Sequence, residues 1–103
     1  MLFAIIATDA PDAARLREAQ LAAHLEFVLG VLDTIRIAGP LLDAPGGRPQ
    51  MSLYVIEAVD SAAALAFLEA DPYYQAGVWA DIKIRPFRGA AGTWVGGAAW
   101  LVK

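Results

Sequence analysis

The stretch from Met51 to Val59, MSLYVIEAV, sets Leu53 and Val55 against Tyr54 and Ile56. In a strand these two pairs point to opposite faces, so apolar side chains occupy both. One face meets helices; the other requires a cover of its own.

Three further segments read as partners for that strand. Residues 2–8, LFAIIAT, form a short apolar run rich in strand formers and followed by turn residues. Residues 32–40, LDTIRIAGP, alternate Ile35 and Ile37 against Thr34 and Arg36 until Gly39-Pro40 stops them, and 41–50, LLDAPGGRPQ, read as a loop. Residues 81–87, DIKIRPF, alternate Ile82 and Ile84 against Lys83 and Arg85, with Pro86 placing the far end at an edge or bulge.

Two helices separate these strands. Asp9 is positioned to cap a helix with Pro11 and Asp12 in its first turn, continued by ARLREAQLAAHLEFVLG to Gly30. Asp60 and Ser61 offer caps for AAALAFLEA, residues 62–70, which Asp71-Pro72 ends, since a residue before proline is pushed out of the helical region. DPYYQAGVW, residues 71–79, then reads as a structured loop.

The resulting order, βαββαβ, is the ferredoxin-like α+β plan: a four-stranded antiparallel sheet with both helices on one face. Two sheets packed through their bare faces would cover the remaining apolar residues, which predicts a two-fold homodimer. Composition points the same way. The 103 residues are 58% hydrophobic and 18% charged, with a mean hydropathy of +0.49, an excess of apolar surface that calls for a partner.

Other function classes fit poorly. Charged or turn residues interrupt every apolar run before the roughly 20 residues of a spanning helix, so no membrane partner is expected. The N-terminus lacks a basic segment and reads as a mature first strand rather than a targeting signal. A net charge of −3 with scattered Lys and Arg argues against nucleic acid. Absence of cysteine removes disulfides, thiol nucleophiles and thiolate metal sites, and a cytoplasmic location is the default.

His24 is the only histidine, on the first helix beside Leu21, Phe27 and Val28 at three- and four-residue steps. An imidazole there either fills a structural role through one hydrogen bond or acts as general base or acid, which requires a carboxylate to orient it. Glu18, Glu26 and Glu69 have ordinary helical settings. Asp71 stands apart, at the end of the second helix beside Tyr73 and Tyr74; it is either helix-ending turn chemistry or the partner of His24, because both helices share one face of the sheet. Ser52 and the tyrosines are candidate hydrogen-bonding groups. The adjacent glycines of APGGRP form no phosphate loop, and a lone histidine argues against a metal site.

The combination of His24-Leu25, Ala38-Gly39-Pro40, Asp71-Pro72-Tyr73, Ala76-Gly77-Val78 and Pro86-Phe87, in this order, resembles the YciI-like (YCII-related) family over residues 1–88. The resemblance implies a ferredoxin-like fold, a homodimer of the dimeric α/β-barrel type and a pocket centred on His24 and Asp71. It also implies a small-molecule enzyme without cofactor; one activity associated with the family is dehydrochlorination of a chlorinated hydroxyquinol. Arg17 matches a basic position of the family, whereas Leu21 stands where many members carry an arginine, a change that weakens any site for an anion. Residues 89–103 extend past the usual family end, carry Trp94 and Trp100, and are expected to add a strand or tail packing on the domain or the partner subunit.

The expectation is therefore a His24/Asp71 acid–base enzyme acting on an aromatic or carbonyl compound held by Arg17, Ser52 and Tyr73. The alternatives are a non-catalytic dimeric ligand-binding or accessory domain, and an interaction module that uses the tail.

Overall fold

The structure is a computed structural model and describes residues 1–101. Its elements are β1 (Leu2–Asp9), α1 (Ala13–Gly30), β2 (Ile35–Leu42), β3 (Pro49–Glu57), α2 (Ser61–Glu69), the five-residue α3 (Pro72–Ala76) and β4 (Trp79–Phe87). A hairpin of β5 (Ala91–Gly92) and β6 (Gly97–Ala98) follows. The four long strands form an antiparallel sheet in the order β2-β3-β1-β4, the ferredoxin-like arrangement that the βαββαβ order predicts.

The register sorts side chains between two unlike faces. Ile5 lies opposite Tyr54 on one side and Ile84 on the other. With Phe3, Ala7 and Ile56 these residues form the helix-covered core, joined by Ala64 and Leu68 from α2 and by Val78. Complete burial of side chains such as Phe3, Ile5, Ile56 and Leu68 contributes about 1.5–3 kcal/mol each. On the opposite face Ala4, Ile6, Leu53 and Val55 stay half-buried, with no helix over them among the described residues.

Several local readings change. Asp9 does not cap α1: it remains in β1, where a register shift lets it pair with Trp79 directly after Thr8 pairs with Asp81. The helix begins after Asp12, whose carboxylate takes up Arg15 instead of a backbone N–H. Gly39-Pro40 does not stop β2, because β2 is an edge strand and a proline there gives up no ladder hydrogen bond. The loop between β2 and β3 shrinks accordingly to residues 43–48.

Ile35 and Ile37 also part company. Ile35 pairs with Ile56 and Ile37 with Val55, so Arg36 is an extra residue that moves the two isoleucines to opposite faces. Ile35 packs on the core, while Ile37 is exposed on the bare side. Residues 72–76 are helical rather than loop: Asp71 caps α3 by accepting from the Tyr73 N–H at 2.8 Å, and Gly77, at φ +82°, closes it. The hairpin β5–β6 makes a separate two-stranded sheet with Trp94 and Trp100 exposed. Residues 102 and 103 of the extension lie outside the described residues.

Asp60 caps α2 as the sequence predicts, its carboxylate accepting from the Ala63 N–H at 2.8 Å. Replacing it with alanine is expected to cost about 1 kcal/mol. A denaturant titration of Asp60→Ala should show the midpoint falling with an unchanged slope.

A histidine–aspartate pair at the candidate functional site

The site is assembled where α1 packs against α3. Helix spacing brings Arg17, Leu21, His24, Leu25 and Val28 of α1 to the wall of a cavity of about 520 Å³. The facing wall comes from Ala38, Gly39 and Pro40 of β2 and from Pro49, Ser52 and Tyr54 of β3. Most of the lining is apolar, and the polar groups gather towards one end.

Behind that end sits Asp71, entirely buried. Its carboxylate accepts from Tyr54 Oη at 2.7 Å and from the Tyr73 N–H at 2.8 Å, and it lies 2.8 and 3.0 Å from His24 Nδ1. A carboxylate is the species able to accept from three donors at once. The arrangement places the His24 ring proton on Nδ1, leaving Nε2 without a partner among the described residues and available to the cavity. The ring is held in plane by Tyr73, stacked on it with centroids 3.8 Å apart and planes 3° from parallel.

The other polar group is Arg17, only 12% exposed. Its Nε and Nη2 donate to both Asp9 oxygens at 2.9 and 2.7 Å, and Nη2 also donates to Ser52 Oγ at 3.0 Å. Such a fork fixes the plane of the guanidinium. Nη1 has no hydrogen-bond partner among the described residues, and the cation lies 5.4 Å from the centre of the Tyr73 ring. Alternation along β1 puts Asp9 on the helix side with Phe3, Ile5 and Ala7, and so within reach of this arginine.

His24, Arg17, Ser52 and Tyr73 thus line one cavity, and Asp71 stands behind His24. Leu21 lines the mouth, half exposed. The partners of two participants escaped the sequence reading. Asp9 looked like a helix cap, and its partnership with Arg17 depends on β1 continuing through it to the helix side. Tyr54 looked like one more apolar strand residue; the available signal was a hydroxyl on the buried face, which must find an acceptor. Among the described residues no three histidine, cysteine or acidic side chains converge as a metal site would require.

The profile of the YCII-related domain matches residues 1–88. The chain belongs to the YCII-related domain family. Among solved structures it is similar to 5-chloro-2-hydroxyhydroquinone dehydrochlorinase from Burkholderia phenoliruptrix, in complex with 2,5-dihydroxybenzoquinone. The two share 29% identity and superpose with a TM-score of 0.79, over 90% of this chain and 97% of that one. No curated protein matches the chain.

Burial, then the Asp71 charge, pushes the Tyr54 phenol far above the ordinary tyrosine value of 10.0; burial raises Tyr73 as well, with Arg17 opposing. A raised folded value means that the native state holds its protons longer than the unfolded chain. This contribution to stability is complete below about pH 10 and is lost as pH climbs towards the folded values. Ultraviolet titration should accordingly show Tyr54 ionising only with alkaline unfolding, a late phase that Tyr54→Phe should remove.

Proposed function

We propose that this protein is a small-molecule enzyme in which His24, oriented by Asp71, carries out general acid–base chemistry on a planar aromatic or carbonyl compound. The observation that carries the reading is the His24–Asp71 pair, with Asp71 buried and His24 Nε2 left to an apolar cavity. The structural similarity to a dehydrochlorinase that binds a dihydroxybenzoquinone supports both the ligand class and the type of step.

The chemistry needs no cofactor. Nε2 removes a proton from a hydroxyl or an activated C–H, and the electron pair released enters the ring or carbonyl system as a phenolate or enolate. In an elimination that pair expels a leaving group such as chloride; in an isomerisation His24 returns the proton to another carbon. Asp71 stabilises the imidazolium formed midway. Arg17 Nη1 and Ser52 Oγ are placed to hold an oxygen of the substrate, and Tyr73 keeps the imidazole in register with it.

The protein acts, on this reading, as a cytoplasmic homodimer joined through the bare sheet face. Support comes from a continuous apolar surface on three strands, with Ile37 and Leu41 on β2, Met51, Leu53 and Val55 on β3, and Ala4 and Ile6 on β1. The apolar lining of the cavity and its exposed rim at Leu21, Leu25 and Pro40 also suit the non-catalytic alternative, a ligand-binding or accessory domain. Turnover separates the two.

Chloride release from 5-chloro-2-hydroxyhydroquinone, assayed with a panel of related chlorinated hydroxyquinols, tests the enzyme. His24→Gln is expected to lose about 10²- to 10⁴-fold in kcat while still binding 2,5-dihydroxybenzoquinone. A parent protein that binds the quinone without turning over any member of the panel supports the non-catalytic alternative. Activity unchanged in His24→Gln rules out the dyad. For the dimer, Leu53→Lys with Val55→Glu should convert a sedimenting dimer into monomers; a monomeric parent overturns that part.

A further inference from the structure

Tyr54 occupies a position that packing alone does not explain. Its ring is nearly inaccessible, set edge-on against Phe67 and Trp79, with centroids 5.9 and 6.2 Å away. These contacts would be served as well by phenylalanine. What the hydroxyl adds is a 2.7 Å hydrogen bond to Asp71 Oδ2, the same carboxylate that faces His24. A phenol buried in this way stays protonated throughout the physiological range, so the bond is donated at every pH at which the protein works.

We propose that Tyr54 is a positioning residue that sets how tightly the His24–Asp71 pair holds its proton, by permanently drawing part of the Asp71 charge away from the imidazole. The inference rests on the acid–base reading of the site and names the group that tunes it. A carboxylate shared between a tyrosine hydroxyl and an imidazole attracts the imidazolium less than one facing the imidazole alone. The hydroxyl therefore makes His24 easier to deprotonate, which favours its return to the free base after each proton transfer. It also fixes the carboxylate plane: Oδ2 is taken by Tyr54 and Oδ1 by the Tyr73 N–H, so the group cannot rotate away from Nδ1.

The other charged and titratable groups around His24 are accounted for. From α1, Arg17 is forked on Asp9 of β1 and Glu18 is exposed at the mouth of the cavity; from α3, Tyr73 stacks on the ring. None of these touches the Asp71 carboxylate through a side-chain hydroxyl. Tyr54 is the only such donor among the described residues.

Because His24 is the only histidine, proton NMR reads its titration without assignment ambiguity and without a substrate. In Tyr54→Phe the midpoint of the His24 ring resonances is expected to rise by about one pH unit, the size of a partial loss of one charged hydrogen bond. In Asp71→Asn the same tyrosine substitution should leave it in place. A second measurement varies the donor without removing it. In a Tyr73→Phe, Tyr74→Phe background Tyr54 is the only tyrosine, and replacing it with 3-fluorotyrosine, a stronger donor, should lower the midpoint. A midpoint unmoved by both changes overturns the proposal and leaves Tyr54 a packing residue. This result is independent of turnover: the titration can respond as expected in a protein with no activity on any hydroxyquinol, which would retire the enzyme reading and keep the coupling.

Discussion

The buried carboxylate of Asp71 is the point at which the pieces of this fold are tied together. An ionised group without solvent is tolerated only where hydrogen bonds replace the lost hydration, and here each replacement comes from a different element. The Tyr73 N–H belongs to α3, the Tyr54 hydroxyl to β3 and His24 Nδ1 to α1. Moving any of the three elements by an ångström would strand a charge in the core. Asp71 thereby fixes the distance between α1 and the sheet, and with it the width of the cavity. Removing one partner of such a group costs about 3–5 kcal/mol, comparable to much of the stability of a small domain.

The second fixed point lies beside the first, where Arg17, 5.4 Å from the centre of the Tyr73 ring, forms a pair with Asp9 in which both side chains are nearly enclosed. Alternation along β1 places Asp9 on the helix side with Phe3, Ile5 and Ala7. Two irregularities of one sheet divide its labour elsewhere. Ala80 is the extra residue of β4, so Trp79 pairs with Asp9 and is buried edge-on to Tyr54 and Tyr73 behind the site. Arg36 is the extra residue of β2 and sends Ile37 to the bare side, which completes the apolar surface across β2, β3 and β1.

This division explains what could and could not be read from residues alone. Alternation of apolar side chains is a property of single segments, so four strands and two helices in βαββαβ order were legible, and so was the sheet face left without helices. Register is a property of pairs of segments. Nothing local to Ile35-Arg36-Ile37 announces an extra residue, and the regular reading keeps both isoleucines together. Asp9 failed for the same reason: next to Pro11 it has the chemistry of a cap, and only pairing with β4 shows that the strand continues through it. Asp71-Pro72 was legible as a helix end, and the shared helix face made His24 a reachable neighbour. Its third ligand, Tyr54, was hidden because a tyrosine in MSLYVIEAV satisfies the apolar pattern as well as a phenylalanine does.

A lone imidazole on an apolar helix is then a consequence of how the carboxylate is buried. Once Asp71 is withdrawn from solvent, the group opposite it on α1 must donate a hydrogen bond, and a lysine or arginine in that place would pair with it as a permanent charge. Histidine satisfies the acid in both of its protonation states, since Nδ1–H donates whether or not Nε2 carries a proton. The residue can gain and lose a proton at the cavity side without ever leaving the buried charge unpartnered. Stability and proton transfer are here met by the two nitrogens of one ring, and the stacked Tyr73 keeps those nitrogens pointing in their two directions.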